Sequence, residues 1–232
     1  MKERILFLDI ETVPQYRTFE ELPEKFKSLW SKKADLIRRK ESDTAEELYL
    51  RAGIYSEFGK IICISVGFVS ENNGKYSARI KSFFGDDEVK ILNDFVALVN
   101  QSKFDALCGH NGKEFDFPYI SRRMIVNGIA IPPMLNNSGK KPWEINHKDT
   151  MEMWKFGDYK SFVSLDLLAT ILNIPTPKDD IDGSEVYGVY YNDGDLQRIA
   201  AYCQKDVATL MKVYYRILGV NFREEDWDIN YF

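Results

Sequence analysis

Cysteine is scarce in this chain. There are three in 232 residues, Cys63, Cys108 and Cys203, far apart and with no C-x-x-C pair among them. That pattern excludes a finger-type zinc site and a disulfide framework, and it reads as core thiols in a reducing compartment. A surplus of positive charge is missing too. The formal net charge of −5 excludes a protein that grips duplex nucleic acid by overall charge, yet it leaves room for a nuclease, whose acidic site adds negative charge. No apolar window reaches the length needed to span a bilayer. The apolar run that opens the chain is broken at Asp9 and Glu11, too early for a secretory signal. Repeats and low-complexity tracts are absent as well. A cytoplasmic protein with no membrane partner is expected.

What is present is ordinary for a globular domain: 44% hydrophobic and 29% charged residues, in a chain long enough to bury a proper core. Residues 4–10 read as a strand. The β-branched run at 60–69 and the alternating run at 76–84 read as a hairpin joined through "SENNGK". A helical period follows over 86–101, then a short strand at 105–111 and a helix over 114–128 that stops at Asn127-Gly128. Residues 145–150 read as one more strand, and 164–174 and 195–218 as helices. This order predicts one mixed sheet with helices packed on it, an α/β domain covering 1–232. Between the first two strands, residues 15–58 stand apart as a charged helical insertion near one edge of the cleft. Its mixed charges read as a solvated face.

The stretch "LFLDIETV" (6–13) puts two carboxylates into a strand that otherwise looks buried. Side chains at i and i+2 share a face, so Asp9 and Glu11 project side by side, while Leu8 and Ile10 point the other way. Like charges held that close repel unless something positive sits between them. The bland alternative is a strand ending at Leu8 with both acids solvated in a turn. Two further acids are oddly placed. Asp116 falls in the first turn of the helix at 114–128, where the helix dipole alone would favour it. Asp206 lies in the middle of a long apolar-faced helix, with Tyr202 one turn earlier on the same face. A sheet whose strand ends point to one crevice would gather all four acids, and clustered carboxylates suit the hard cations Mg²⁺ and Mn²⁺.

The motifs "DIET", "HNGKEFD" and "YCQKD", as D-x-E, N-x-x-x-F-D and Y-x-x-x-D in that order, resemble the three motifs of the DEDD family of 3′–5′ exonucleases in its tyrosine subtype. They are most similar to those of the proofreading exonuclease domain of family B DNA polymerases. The resemblance runs from about residue 4 to 216, with "HKDTMEMW" and "SLDLLATIL" also similar to family segments. It implies a ribonuclease-H-like fold, with a mixed sheet of about five strands flanked by helices. It also implies a two-metal-ion exonuclease releasing nucleoside 5′-monophosphates from single-stranded or frayed DNA 3′ ends. On this resemblance Asp9, Glu11, Asp116 and Asp206 hold two Mg²⁺ or Mn²⁺ ions. Asp9 bridges both, Glu11 and Asp206 complete the ion that activates water, and Asp116 holds the second. Tyr202 orients the attacking water; a phenol of pKa near ~10 is a poor base. Thr12, Asn111 and Phe115 are the substrate-side residues of the same motifs. Asn111 either touches the strand or fixes its loop, and Phe115 either packs in the core or stacks on a base.

Other tempting residues have plainer readings. His110 is expected to be structural, and Asp149 to cap the segment after a strand. Arg122-Arg123, Lys140-Lys141, Lys155 and Lys160 could contact phosphates, but as scattered basic residues they are expected to be solvated. The insertion at 15–58 and the expected absence of a polymerase domain leave the substrate open. An exoribonuclease and a non-catalytic module that holds nucleic-acid ends are the alternatives, and a ribonuclease-H-like endonuclease fits the Y-x-x-x-D helix less well. A polymerase or repair partner is not specified by these residues.

Overall fold

The computed structural model describes residues 3–158, 160–176 and 181–232. In chain order its strands are β1 (Ile5–Pro14), β2 (Gly59–Asn72), β3 (Lys75–Phe84), β4 (Ala106–Gly109), β5 (Lys148–Asp149) and β6 (Trp227–Tyr231). Its helices are α1 (Glu24–Ile37), α2 (Glu88–Gln101), α3 (Asp116–Val126), α4 (Thr150–Lys155), α5 (Leu165–Ile171), α6 (Val186–Gly188) and α7 (Leu196–Ile217). The strands form one six-stranded sheet in the order β5-β4-β1-β2-β3-β6. β2 alone runs against the others, being antiparallel to both β1 and β3.

The expected hairpin is present, turning at Asn73 and Gly74. Both residues have positive φ, 50° and 76°, the conformation a two-residue hairpin loop needs. Helix starts also follow local chemistry. Asp87 accepts from Lys90 N, Ser164 from Leu167 N and Asp195 from Arg198 N, capping α2, α5 and α7. Two expectations need adjusting. The strand at 145–150 shrinks to Lys148–Asp149, because Pro142–Glu144 form a 3₁₀ turn and Asp149 already caps α4. The sheet gains a sixth strand, β6, which pairs parallel to β3 through Tyr76–Ile80.

Strand alternation divides the core. Leu6, Leu8 and Ile10 pack with Ile91, Phe95, Ile120 and Met124 of α2 and α3, whereas Phe7 packs with Leu210, Met211 and Tyr214 of α7. Asp9 and Glu11 therefore face α7. The register between β1 and β2 slips at Glu11/Thr12, leaving Ile62 as an extra residue on β2. Ile62 and Cys63 consequently both lie in the cluster beneath the start of α7. Bulges of this kind gather beside active sites, where they redirect side chains.

Residues 15–58 have a small core of their own. Trp30 is fully buried, edge-on to Tyr49 and Phe58, and its indole N–H donates to Ala45 O at 2.7 Å. The 3₁₀ segment Glu47–Ile54 lies against the end of β1, where a Cβ on Gly53 would come within 3.0 Å of the Val13 backbone. Tyr119 of α3 donates its hydroxyl to Gly53 O at 2.7 Å, tying this segment to the helix that carries Asp116.

Candidate active site

β1 does not end at Leu8; it continues to Pro14, so the solvated-turn alternative fails and Asp9 and Glu11 belong to a paired strand. Opposite them on β2 are Ser65 and Cys63 respectively. The strand beside β1 on its other side, β4, stops at Gly109. The chain then leaves through a loop in which Asn111 adopts φ 61°, and it re-enters as α3 at Asp116. The early end of β4 frees one edge of β1, and the backbone of Ile10 hydrogen-bonds to the Asp116 carboxylate there. From the other face, α7 lowers Tyr202, Cys203 and Asp206 onto Asp9 and Glu11.

Asp9 and Glu11 each lie in the negative field of Asp116 and Asp206. Burial pushes the Asp9 carboxyl well above its usual range, and Asp116 and Asp206 push it further. Burial likewise raises Glu11, with Asp9 and Asp206 adding to it. Asp116 is raised to about 7, chiefly by burial and in part by Asp149, against backbone hydrogen bonds that lower it. Among the described residues no cation pairs with Asp9, Glu11 or Asp116. Cys203 acts the other way on Asp9: its thiol donates to Asp9 Oδ2 at 3.4 Å and lowers the carboxyl. Ligand atoms of Asp9, Glu11 and Cys203 lie within 4.8 Å of one another. Tyr202 hydrogen-bonds to Asp206 one turn on, and burial followed by the negative field of Asp206 and Glu11 holds its phenol protonated far above the ordinary range.

The remaining sequence expectations divide. Thr12 lies next to the bulge, on the α3 side, with its hydroxyl on Tyr119. The backbone of Asn111 holds its loop: its carbonyl accepts from Glu114 N and Phe115 N, and its N–H donates to Asp149. Phe115 is partly buried against the core and tilted on Tyr119, with ring centroids 5.4 Å apart. His110 is structural, one ring nitrogen meeting Thr150 Oγ1 and the other Val163 O, both at 2.8 Å. Asp149 is buried and fully engaged, accepting from Asn111 N, Lys113 N, Met151 N and Glu152 N. Arg122 is exposed as expected, but Arg123 is not: it is buried and paired with Glu88 at 2.6 Å. The reading of Arg123 as solvated is therefore wrong, because α3 turns that position inward toward α2.

Sequence reasoning missed the polar floor of the site. All three cysteines are free and buried, as expected of core thiols. Cys203, however, touches Asp9, and Cys63 lies 3.7 Å from Ser65, whose hydroxyl meets Ser82 at 2.7 Å. The signal was available in part. Cys203 precedes Asp206 by three residues and so shares its helix face.

At the carboxyl ends of β1 and β4, acids from one strand and two helices gather on a mixed α/β sheet of the ribonuclease-H-like kind. A family model described as a predicted 3′–5′ exonuclease related to the exonuclease domain of PolB matches residues 54–229, and the chain belongs to this family. The matched residues include Asp116, Tyr202 and Asp206, whereas Asp9 and Glu11 precede them. A DNA polymerase of Pyrococcus horikoshii is 24% identical over 182 residues, covering 69% of this chain and 14% of that protein. A DNA polymerase of Red sea bream iridovirus is 22% identical over 189 residues, covering 71% of this chain and 19% of that one. The family B DNA polymerase of Pyrobaculum calidifontis shares the fold with a TM-score of 0.59 and 17% identity, covering 94% of this chain and 25% of that chain. The chain thus spans a quarter or less of each of these polymerases.

Proposed function

We propose that the chain is a divalent-metal-dependent 3′–5′ exonuclease acting on single-stranded or frayed DNA ends. The observation that carries this reading is the meeting of Asp9, Glu11, Asp116 and Asp206 with no cation paired to the first three. An all-oxygen, anionic donor set fits hard divalent ions such as Mg²⁺ or Mn²⁺. Asp9, at the centre of the group, would hold both ions; Glu11 and Asp206 would hold one and Asp116 the other. Such ions supply an activated water and stabilise charge on the phosphate and the departing 3′-oxygen.

The chain's own residues do the positioning. Tyr202 keeps its proton and is anchored by Asp206, so its hydroxyl orients a water instead of deprotonating it. Cys203 holds one carboxylate oxygen of Asp9 from above. Thr12 and Phe115 border the space where a terminal nucleotide would enter, and Asn111 shapes the loop that brings Asp116 in. The 15–58 segment forms one edge of the same single domain. DNA is favoured over RNA as substrate because the relatives are named DNA polymerases. No helix among the described residues is long and apolar enough to cross a membrane, and the buried free thiols fit a reducing cytoplasm.

The test is degradation of a 5′-labelled single-stranded DNA, with Mn²⁺, Mg²⁺ or EDTA, by wild type and Asp9→Ala, beside an RNA of the same sequence. A ladder shortening from the 3′ end is expected, absent with EDTA. Asp9→Ala should lower the rate by more than about 100-fold, since even outer partners of a metal site contribute 10–100-fold. Faster loss of the RNA would move the assignment to an exoribonuclease. Binding of either strand without cleavage would replace the enzyme by an end-binding module.

A further inference from the structure

Beside the motif-two loop lies a surface that the fold does not need. A groove of about 550 Å³ has Asn111 and Lys113 on one wall and Lys155, Gly157 and Asp158 on the other. Around it three large aromatic side chains stand in solvent: Trp143 at 78%, Phe156 at 85% and Phe162 at 68% exposure. Phe156 is the least expected. Its backbone is left-handed, φ 44° and ψ 35°, a conformation natural to Gly or Asn and strained for a bulky residue. Strain is normally tolerated where packing repays it, and here the side chain packs against nothing. Folding alone would place glycine at 156, as it does at 157, where φ is 91°.

Acids and lysines both line this surface, and they are engaged differently. Three of its exposed acids have local partners: Glu144 accepts from Lys141 N, Asp158 from Lys160 N, and Glu152 pairs with Lys113, while Glu114 stands exposed in the groove lining. The ammonium groups are not neutralised in the same way. Among the described residues no carboxylate pairs with Lys140, Lys141, Lys155 or Lys160. Lys155 Nζ instead lies 4.2 Å from the Phe162 ring centroid, and Lys141 Nζ 5.2 Å from that of Trp143. Exposed π-faces interleaved with free cations match a single nucleic-acid strand, whose bases stack while its phosphates meet lysines. A duplex offers no open base faces to such a surface. The surface is also tied to the site, since His110 binds the carbonyl of Val163, next to Phe162, and Asn111 begins the loop that delivers Asp116.

We propose that this face is a platform for single-stranded nucleic acid. A strand whose 3′ end lies at the carboxylates rests its preceding bases on Phe156, Phe162 and Trp143, and its phosphates meet Lys140, Lys141 and Lys155. The path rests on the exonuclease reading above, whereas the binding itself does not.

The test is fluorescence anisotropy in EDTA with 5′-labelled oligothymidylates of about 4 and about 16 nucleotides, spanning the strand lengths such grooves occupy. Wild type should bind the longer strand more tightly, and Phe162→Ala should weaken that binding by about 5- to 100-fold, the range of a lost stacking contact. Phe156→Gly separates binding from folding, because it relieves the backbone and removes the ring together. Its melting temperature should rise while its affinity for the longer strand falls. Wild-type affinity in Phe156→Gly would overturn the platform, as would a blunt duplex binding as tightly as the single strand. Failure to cleave with Mn²⁺ while strand binding stays sensitive to Phe156→Gly would overturn the exonuclease reading and leave the platform standing.

Discussion

Glu88 and Glu11 are buried almost equally, at 9% and 8% exposure, and the protein treats them in opposite ways. Glu88, the first residue of α2, is fully satisfied. Arg123 grips both its oxygens at 2.9 and 2.6 Å, Ile61 N donates at 2.7 Å and Asn127 Nδ2 at 2.9 Å. Glu11, one residue before the Thr12 that faces Ile61 across the sheet, has Asp9 and Asp206 for neighbours and no paired cation among the described residues. A buried carboxylate is costly unless paired. At Glu88 the protein supplies the partner from α3, and the result is a brace between helices. At Glu11 it supplies more negative charge, which leaves the carboxylate to be neutralised by a proton or, on the function proposed above, by a metal ion. The first arrangement serves the fold, and the second weakens it in favour of a site.

The comparison breaks most severely at Arg123. Arg123→Met should lower stability by about 3–5 kcal/mol, because it leaves Glu88 buried and alone. The double variant with Glu88→Gln should recover most of the loss in urea unfolding. A loss below about 1 kcal/mol would show that the brace is dispensable.

His147 extends the comparison to a buried base. Burial lowers its pKa to about 4, and its neutral ring accepts from Leu107 N through Nδ1 while Nε2 meets Met134 O. The unfolded ring titrates near ~6.5. The stability contributed by keeping it neutral is therefore complete above pH 6.5 and is lost as pH falls toward 4, by up to about 3 kcal/mol. Urea midpoints measured between pH 7 and pH 4 should fall over this window, and the fall should shrink in His147→Gln. An unchanged slope in that variant would place the acid sensitivity elsewhere.

The smallest effect is the most diagnostic. The folded state raises the pKa of Glu11, so ionisation at neutral pH destabilises the metal-free fold. Glu11→Gln in EDTA should melt higher than wild type by about 2–4 °C, corresponding to about 1 kcal/mol in a chain of this size. Mn²⁺ should raise the melting temperature of wild type and do little for the variant. A variant that melts lower in EDTA would mean that Glu11, like Glu88, serves the fold.

Much of this architecture was legible locally. The i, i+2 spacing of Asp9 and Glu11 placed them on one face, and Tyr202 and Asp206 fell one turn apart on α7. Asn73-Gly74 marked the hairpin, and Asn127-Gly128 the end of α3. What stayed hidden depended on distant partners. β6 is five mostly exposed residues that become a strand only by pairing with β3, far earlier in the chain. Arg123 looks like any helix-surface arginine until α2 brings Glu88 beside it. Cys203 reads as a core thiol until β1 passes beneath α7.

By itself, then, the sequence determined which donor groups exist, which face of its own element each occupies, and where elements start and stop. These follow from the fixed periods of strand and helix and from capping chemistry that acts over a few residues. Only the tertiary structure decided that the acids on β1, α3 and α7 meet and that Arg123 braces Glu88. It also decided that Phe156 stands strained in solvent. Such outcomes depend on strand order, on the early end of β4 and on which helix lies over which strand. Those are set by burial across the whole sheet, a non-directional force with no local signature.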